Sequence, residues 1–150
     1  MKINDKNNNL FINSNEINYD VINKLITSKT DSEIIDNLGN IYKVKEFEYS
    51  IEKKVIKLNQ LIAFDANKNS FIVDLAYMDL KKRELIAKDV DLNFKISENS
   101  ENEPRLKGRS LISDENSTIV KKGTFTFCKK REKCPPWEMS SEEILSLIHI

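Results

Sequence analysis

Phe71-Ile-Val-Asp-Leu-Ala-Tyr77 is the stretch on which the fold turns. Phe71, Val73, Leu75 and Tyr77 alternate with Ile72, Asp74 and Ala76, the period of two that sends successive side chains to opposite faces of a strand. The same period continues on both sides. Downstream, Val90, Leu92, Phe94 and Ile96 alternate with Asp91, Asn93 and Lys95; upstream, Phe47, Tyr49 and Ile51 alternate with Glu46, Glu48 and Ser50. One apolar and one mostly polar face per strand is the pattern of a half-buried antiparallel sheet. Between Val44 and Phe47 the phase slips by one residue, which predicts a bulge or a corner.

Short polar turns punctuate these strands. Asp36-Asn-Leu-Gly-Asn40, Asp65-Ala-Asn-Lys-Asn-Ser70 and Asp114-Glu-Asn-Ser117 are rich in residues that bond their own backbone or tolerate left-handed dihedrals. Ser97-Glu-Asn-Ser-Glu-Asn-Glu-Pro104 is longer, low in complexity, and reads as a loop. From Ser50 to Gln60 the residues Ile51, Val55, Ile56 and Leu58 nearly fit an amphipathic helix, but alternating strands on both sides favour a hairpin. A loose repeat runs through the chain: Glu16-Ile-Asn-Tyr19, Glu46-Phe-Glu-Tyr49 and Asp74-Leu-Ala-Tyr77, each followed by a charged turn and an apolar pair (Leu25-Ile26, Val55-Ile56, Leu85-Ile86). A strand–turn–strand unit recurring roughly every 30 residues cannot bury its apolar face alone, so copies must stack or roll together. The expected fold is all-β: a rolled antiparallel sheet, jelly-roll-like, built of hairpin repeats over residues 10–144. Residues 1–9 are expected to be a disordered polar segment.

With 150 residues the chain holds one domain with a modest core. Lys and Arg balance Asp and Glu at 24 each, which excludes a nucleic-acid binder that relies on a basic surplus. Three glycines are too few for phosphate-cradling loops. No apolar run approaches the about 20 residues of a membrane-spanning helix, and Met1–Asn9 lacks the apolar core of a secretion signal. No Ser-His-Asp or Cys-His set is present. The sole histidine, His149, lies in Leu145-Ser-Leu-Ile-His-Ile150, which reads as a translated sequencing adapter, so 145–150 is expected to be a non-native tail. The other reading of this end is a short helix capped by Ser140 with Glu143 three residues on. Carboxylates are numerous but occupy turns and polar strand faces. An enzyme, catalytic residues and a cofactor are therefore not expected.

The remaining chemistry sits in Gly123-Thr-Phe-Thr-Phe-Cys128-Lys-Lys-Arg-Glu-Lys-Cys134-Pro-Pro-Trp137-Glu-Met139. A strand-like Thr-Phe-Thr-Phe delivers Cys128 into a charged loop that Cys134, two prolines and the only tryptophan close. A zinc site wants four ligands, usually in Cys-x2-4-Cys pairs; the gap here is five residues with no second pair, so no metal is expected. A local disulfide between Cys128 and Cys134 is geometrically possible, and two unpaired thiols are the alternative. Trp137 reads as a lid over the sheet end.

Preceded by Pro104-Arg-Leu-Lys-Gly-Arg-Ser-Leu-Ile-Ser113, this block resembles the periplasmic N-terminal region of the LptD family (organic solvent tolerance, OstA), the lipopolysaccharide-assembly outer-membrane proteins. The Tyr-centred hairpin repeat is similar to the family's OstA-type units, and the resemblance spans roughly residues 10 to 144. It implies a periplasmic location at the outer membrane, and a longer native chain with a leader before Met1 and a barrel after Ile144. It implies that the domain receives lipopolysaccharide from a periplasmic bridge protein by edge-strand pairing. The lipid would pass to the outer-membrane β-barrel of the same full-length chain and its lipoprotein plug. Cys128 matches a family cysteine that forms a disulfide to the barrel; Cys134 matches a second cysteine that some members carry. The Lys129–Lys133 run, ordinarily a solvated loop, would in that setting meet lipid A phosphates. The free edge is expected around Leu10 to Tyr19. Phe47, Tyr49, Phe71, Val73, Leu75, Tyr77, Val90, Leu92 and Phe94 are the candidate lining of a lipid groove. Read from the residues alone, that same face is equally a dry core, which would leave a scaffold or interaction domain. A stand-alone bridge component with the same repeat is the nearer alternative.

Overall fold

A computed structural model describes residues 1–93, 102–114, 117–129 and 139–146, with side chains over 1–93, 105–114, 117–123 and 140–143. These residues form thirteen strands and no helix. The short ones are β1 (Lys2–Asp5), β2 (Leu10–Ser14), β3 (Asn18–Asp20), β4 (Leu25–Ser28), β5 (Ser32–Asp36), β6 (Ile41–Val44) and β7 (Glu46–Ser50). The longer ones are β8 (Val55–Phe64), β9 (Ser70–Asp79), β10 (Glu84–Asn93), β11 (Asn102–Ser113), β12 (Thr118–Lys129) and β13 (Met139–Ser146). All belong to one antiparallel sheet that does not close, ordered β1-β2-β5-β6-β8-β9-β10-β11-β12-β13, with β7, β4 and β3 branching from β8.

The short strands are halves of long ones. β6 and β7 pair the two halves of β8 in a single register, Lys43 opposite Ile62 and Glu46 opposite Asn59. Beyond them the sheet divides: β5, β2 and β1 continue one half, β4 and β3 the other. Side chains tie the two branches together. The Tyr49 hydroxyl on β7 donates to the Asp5 carboxylate at the end of β1, and Asn8 Nδ2 donates to that hydroxyl at 3.2 Å. Ser14 of β2 and Ser28 of β4 meet at 2.9 Å in a buried hydroxyl cluster, and Ser32 donates to Ser14 at 2.8 Å. The result is a rolled, two-layer, jelly-roll-like all-β fold.

A line of bends produces the two layers. Buried positions are spaced by two within each half-strand and by three across the middle: Leu58 then Leu61 in β8, Val73 then Ala76 in β9, Ala87 then Val90 in β10, Val120 then Gly123 in β12. The registers align these slips, so Lys45, Gln60, Asp74, Asp89, Arg109, Lys122 and Glu142 run straight across the sheet on its outer side. Gln60, Asp89 and Lys122, on alternate strands, have φ of 52°, 53° and 52°, a region that residues with a Cβ seldom adopt. Because register is kept, this is a corner shared by β8 to β12 and not a one-strand bulge. The slip between Val44 and Phe47 is its first visible point. The same apolar face lies inside on both sides of the corner. The core joins Ile12 and Ile34 in one layer to Ile56, Leu58 and Leu111 in the other, all fully buried.

Two turn designs alternate at the strand ends. In Asp36–Asn40 and Asp65–Asn69 one carboxylate oxygen accepts from the backbone N–H groups two and four residues on, and the other from the closing Asn side chain. Gly39 and Lys68 supply the positive φ. At the opposite ends Asp20, Ser50 and Asp79 cap four-residue hairpin loops that close on Lys24, Lys54 and Arg83, again with positive φ. Those caps recur at about the spacing of the sequence repeat, and Ser50–Gln60 is indeed a hairpin.

Four expectations are corrected. Residues 1–9 are not a free segment: Lys2–Asp5 pairs with β2, and Asp5 anchors the following turn through Asn8. The Leu10–Tyr19 region is an edge only in part, since β2 is flanked by β1 and β5 while β3 pairs β4 alone. The free edges among the described strands are β1, β3 and β13. The C-terminal stretch forms a strand in place of the short helix, with Leu145 and Ser146 inside β13; residues 147–150, His149 among them, lie outside the described residues. Asn102–Pro104 belong to β11 and not to the expected loop. Pro104 lies opposite Phe127 of β12.

Candidate functional site

Six of the nine proposed lining residues share the inner face. Phe47 and Tyr49 come from β7, Phe71 and Val73 from β9, Val90 and Leu92 from β10, all at 3% exposure or less. Cross-strand registers pack them: Phe71 opposes Leu92 and Ala63, Val73 opposes Val90 and Leu61, Tyr49 opposes Ile56. With ring and branched neighbours on both sides, this is a continuous apolar surface running through both layers.

Leu75 and Tyr77 are elsewhere. The corner at Asp74 shifts the phase, so Ala76 and Met78 take the inner positions while Leu75 is half-buried outside and Tyr77 is exposed. In the repeat, Tyr49 directly precedes its turn cap Ser50, whereas Met78 directly precedes Asp79; both oppose Ile56. Met78 is thus the structural counterpart of Tyr49, and the tyrosine match was one residue out. Phe94, Cys134, the Lys129–Lys133 run beyond Lys129 and Trp137 lie outside the described residues. The backbone of Cys128 is in β12 opposite Glu103, and Thr124–Phe127 are strand as expected.

Sequence reading missed the first half of β10 (Leu85, Ala87), the second half of β8 (Leu61, Ala63), and Leu106, Leu111 and Val120. It also missed Gly108. A Cβ there would lie 2.2 Å from the Cγ1 of Val120, so the Val120 side chain fills the space that a larger residue would need.

The buried hydroxyls are paired, Ser14 with Ser28 and Ser32, and Ser113 with Thr118, whereas Asp91 Oδ1 is buried without a hydrogen-bond partner. Tyr49 is pushed well above the ordinary phenol range, first by burial and then by its bond to the Asp5 carboxylate. Asp5 is held below the carboxylate range: burial opposes this, but bonds from Asn8 and Tyr49 outweigh it. Tyr42 is likewise raised by burial and by Asp36, its hydroxyl donating to that carboxylate at 3.2 Å. These are acid–phenol clamps at the layer margins. Their chemistry is structural: they hold strand ends and turns together.

No family model matches the chain, and no curated protein matches it.

Proposed function

We propose that this domain is a passive lipid conduit. It accepts lipopolysaccharide from a periplasmic bridge protein through a free strand edge and passes it on to an outer-membrane barrel. The observation that carries the reading is the uninterrupted apolar inner face, which crosses both layers of a sheet that never closes. Sheltering hydrocarbon asks only for apolar area removed from water, worth roughly 25 cal/mol per Å², and that face offers it without cofactor or metal. The resemblance of the Cys128-to-Trp137 block to the LptD family supports the choice of lipid and of location. The inner side chains pack against one another in the lipid-free protein, so acyl chains reach them only when the layers part. The shared corner is where such parting is easiest, because bending there leaves the ladders of each half intact.

A second reading, a closed-core scaffold or interaction domain, is favoured by the near-complete burial of those same residues. Photo-crosslinking to lipopolysaccharide separates the two. Probes at Phe71, Val90 and Leu92 are expected to crosslink, while probes at Ile72 and Asp74 on the outer face stay silent. Equal silence at the inner sites, in a folded protein, would establish the scaffold.

A further inference from the structure

The inner apolar face loses its cover on one side of the molecule. Cross-strand pairing carries that face outward from Tyr49 of β7 to Ile26 of β4 and Tyr19 of β3. Tyr49 is 2% exposed, Ile26 is half-buried and Tyr19 is 55% exposed. In the other layer the margin is β1, where Ile3 opposes the fully buried Ile12 and is itself half-buried. The space between the layers therefore meets solvent beside β3, with β1 along its other margin.

Two sets of hydrogen bonds cross between the layers on this side. Ser14, Ser28 and Ser32 meet next to the corner. The second set lies at the far end of the strands. Tyr49 stands four residues beyond Lys45 of the corner, roughly 13 Å along the chain. Asp5 stands opposite Leu10, which in turn opposes the Asp36 turn. There the Tyr49 hydroxyl donates to Asp5. Asn8 Nδ2 reaches both partners, at 2.8 Å from Asp5 Oδ2 and 3.2 Å from the hydroxyl. One set thus joins the layers where the sheet folds, and the other where they would separate.

Beyond this network β1 contributes four register pairs with β2, the Met1–Ser14 backbone bonds and one apolar side chain, Ile3. Lys2 and Asn4 are exposed. Its release leaves the β2–β5 ladder intact and buries nothing polar. We propose that β1 is a strap that gates the space between the layers, held shut by the Asp5–Tyr49–Asn8 network. When the bond to Tyr49 breaks, β1 peels from β2 and opens a path past Tyr19 and Ile26 to the buried face at Ile12 and Tyr49. An apolar chain of the width of a fatty acyl tail is what such a path admits. An edge strand that served the fold alone needs only its ladder. A polar bond to the opposite layer adds a contact that is released without disturbing the apolar core. The gating role rests on the reading of the interior as a lipid conduit; the strap itself does not.

Hydrogen exchange on the 150-residue chain without lipid tests the strap, and uptake of the fluorescent fatty acid cis-parinaric acid tests the gate. Tyr49→Phe keeps the ring in the core and removes the bond. It is expected to quicken exchange over residues 2–14 by at least about tenfold beyond any change in β9 and β10, and to quicken uptake as well. Asp5→Ala, which leaves Tyr49 in place, should do the same. Tyr42→Phe removes a similar phenol–carboxylate bond that lies within one layer, and should leave both readouts as in the parent. Unchanged exchange over residues 2–14 in Tyr49→Phe would overturn the strap. So would an increase shared equally by β9 and β10, or matched by Tyr42→Phe. Local opening with an unaltered uptake rate would overturn the gating while leaving the conduit standing. Absence of uptake in parent and variants alike would overturn the conduit reading, and the gate with it.

Discussion

At the scale of single residues, the clearest lesson is at Asp74-Leu75. Read as one window, Phe71–Tyr77 has a perfect period of two, and nothing in the residue types announces a break. Elsewhere the corner does leave a mark: Lys45-Glu46, Asn59-Gln60, Lys88-Asp89 and Lys121-Lys122 are polar pairs at which the apolar spacing stretches from two to three. In β9 the outward pair is Asp74 with an aliphatic Leu75, so the slip was hidden and two lining residues were placed on the wrong face. The Asp5–Tyr49 clamp was illegible for a different reason: it joins residues 44 apart in sequence, and Lys-Ile-Asn-Asp has no apolar alternation to betray a strand. Its pH behaviour follows from its shifts. Asp5 is lowered from 3.8, so the stability it contributes is complete above that value and is lost as pH falls through the lower folded pKa. Tyr49 is raised, so its contribution is complete below the ordinary phenol pKa and is lost only as pH rises beyond it. Asp5→Asn should therefore reduce stability at neutral pH and flatten the acid limb of the urea midpoint against pH. An acid limb identical to that of the parent would show that the clamp contributes nothing.

At the scale of elements, the strands and most turns were readable because each carries local chemistry: alternation for the strands, an Asp with its closing Asn or Gly for the loops. What joins them into layers was not. A corner is a collective property, since one strand with a phase slip is a bulge and only aligned slips on every strand fold the sheet. The alignment depends on hairpin lengths, which fix where each Gln60, Asp89 and Lys122 falls relative to its neighbours. These residues pay in backbone strain for that geometry. A left-handed conformation costs a residue with a Cβ roughly 1–2 kcal/mol, a penalty glycine lacks. Gln60 is exposed and makes no packed contact in the core, so Gln60→Gly should remove the strain with little lost packing. Glycine's larger unfolded-state entropy offsets part of the gain, and the net expectation is stabilisation by about 0.5 kcal/mol in urea denaturation. Destabilisation by more than about 1 kcal/mol, the ordinary cost of glycine inside a strand, would mean that the Gln60 side chain itself holds the corner.

At the scale of the whole molecule, the two layers are not independent units. Strands β8 to β12 each cross the corner and donate inner residues to both layers, so neither layer keeps a core if the other melts. Unfolding is expected to be a single cooperative transition, and its midpoint reports on the core as a whole. That makes stability a probe of the carrier reading, because a ligand that binds only the folded state raises the midpoint by mass action. A hundredfold excess over its dissociation constant gives about 2.7 kcal/mol. A lipid held between the layers replaces contacts such as Phe71–Leu92 by contacts with acyl chains, and so should stabilise while exposing fewer, not more, of the inner residues to water. Lipopolysaccharide is therefore expected to raise the urea midpoint at an unchanged slope. The rise should persist in K88Q/R109Q/K121Q/K122Q, whose changes lie entirely on the outer face, and vanish in a Val73→Asp variant that still folds. A midpoint unmoved by saturating lipid would fit a core that never opens. A rise that disappears with the four cations would move the lipid from the interior to the surface.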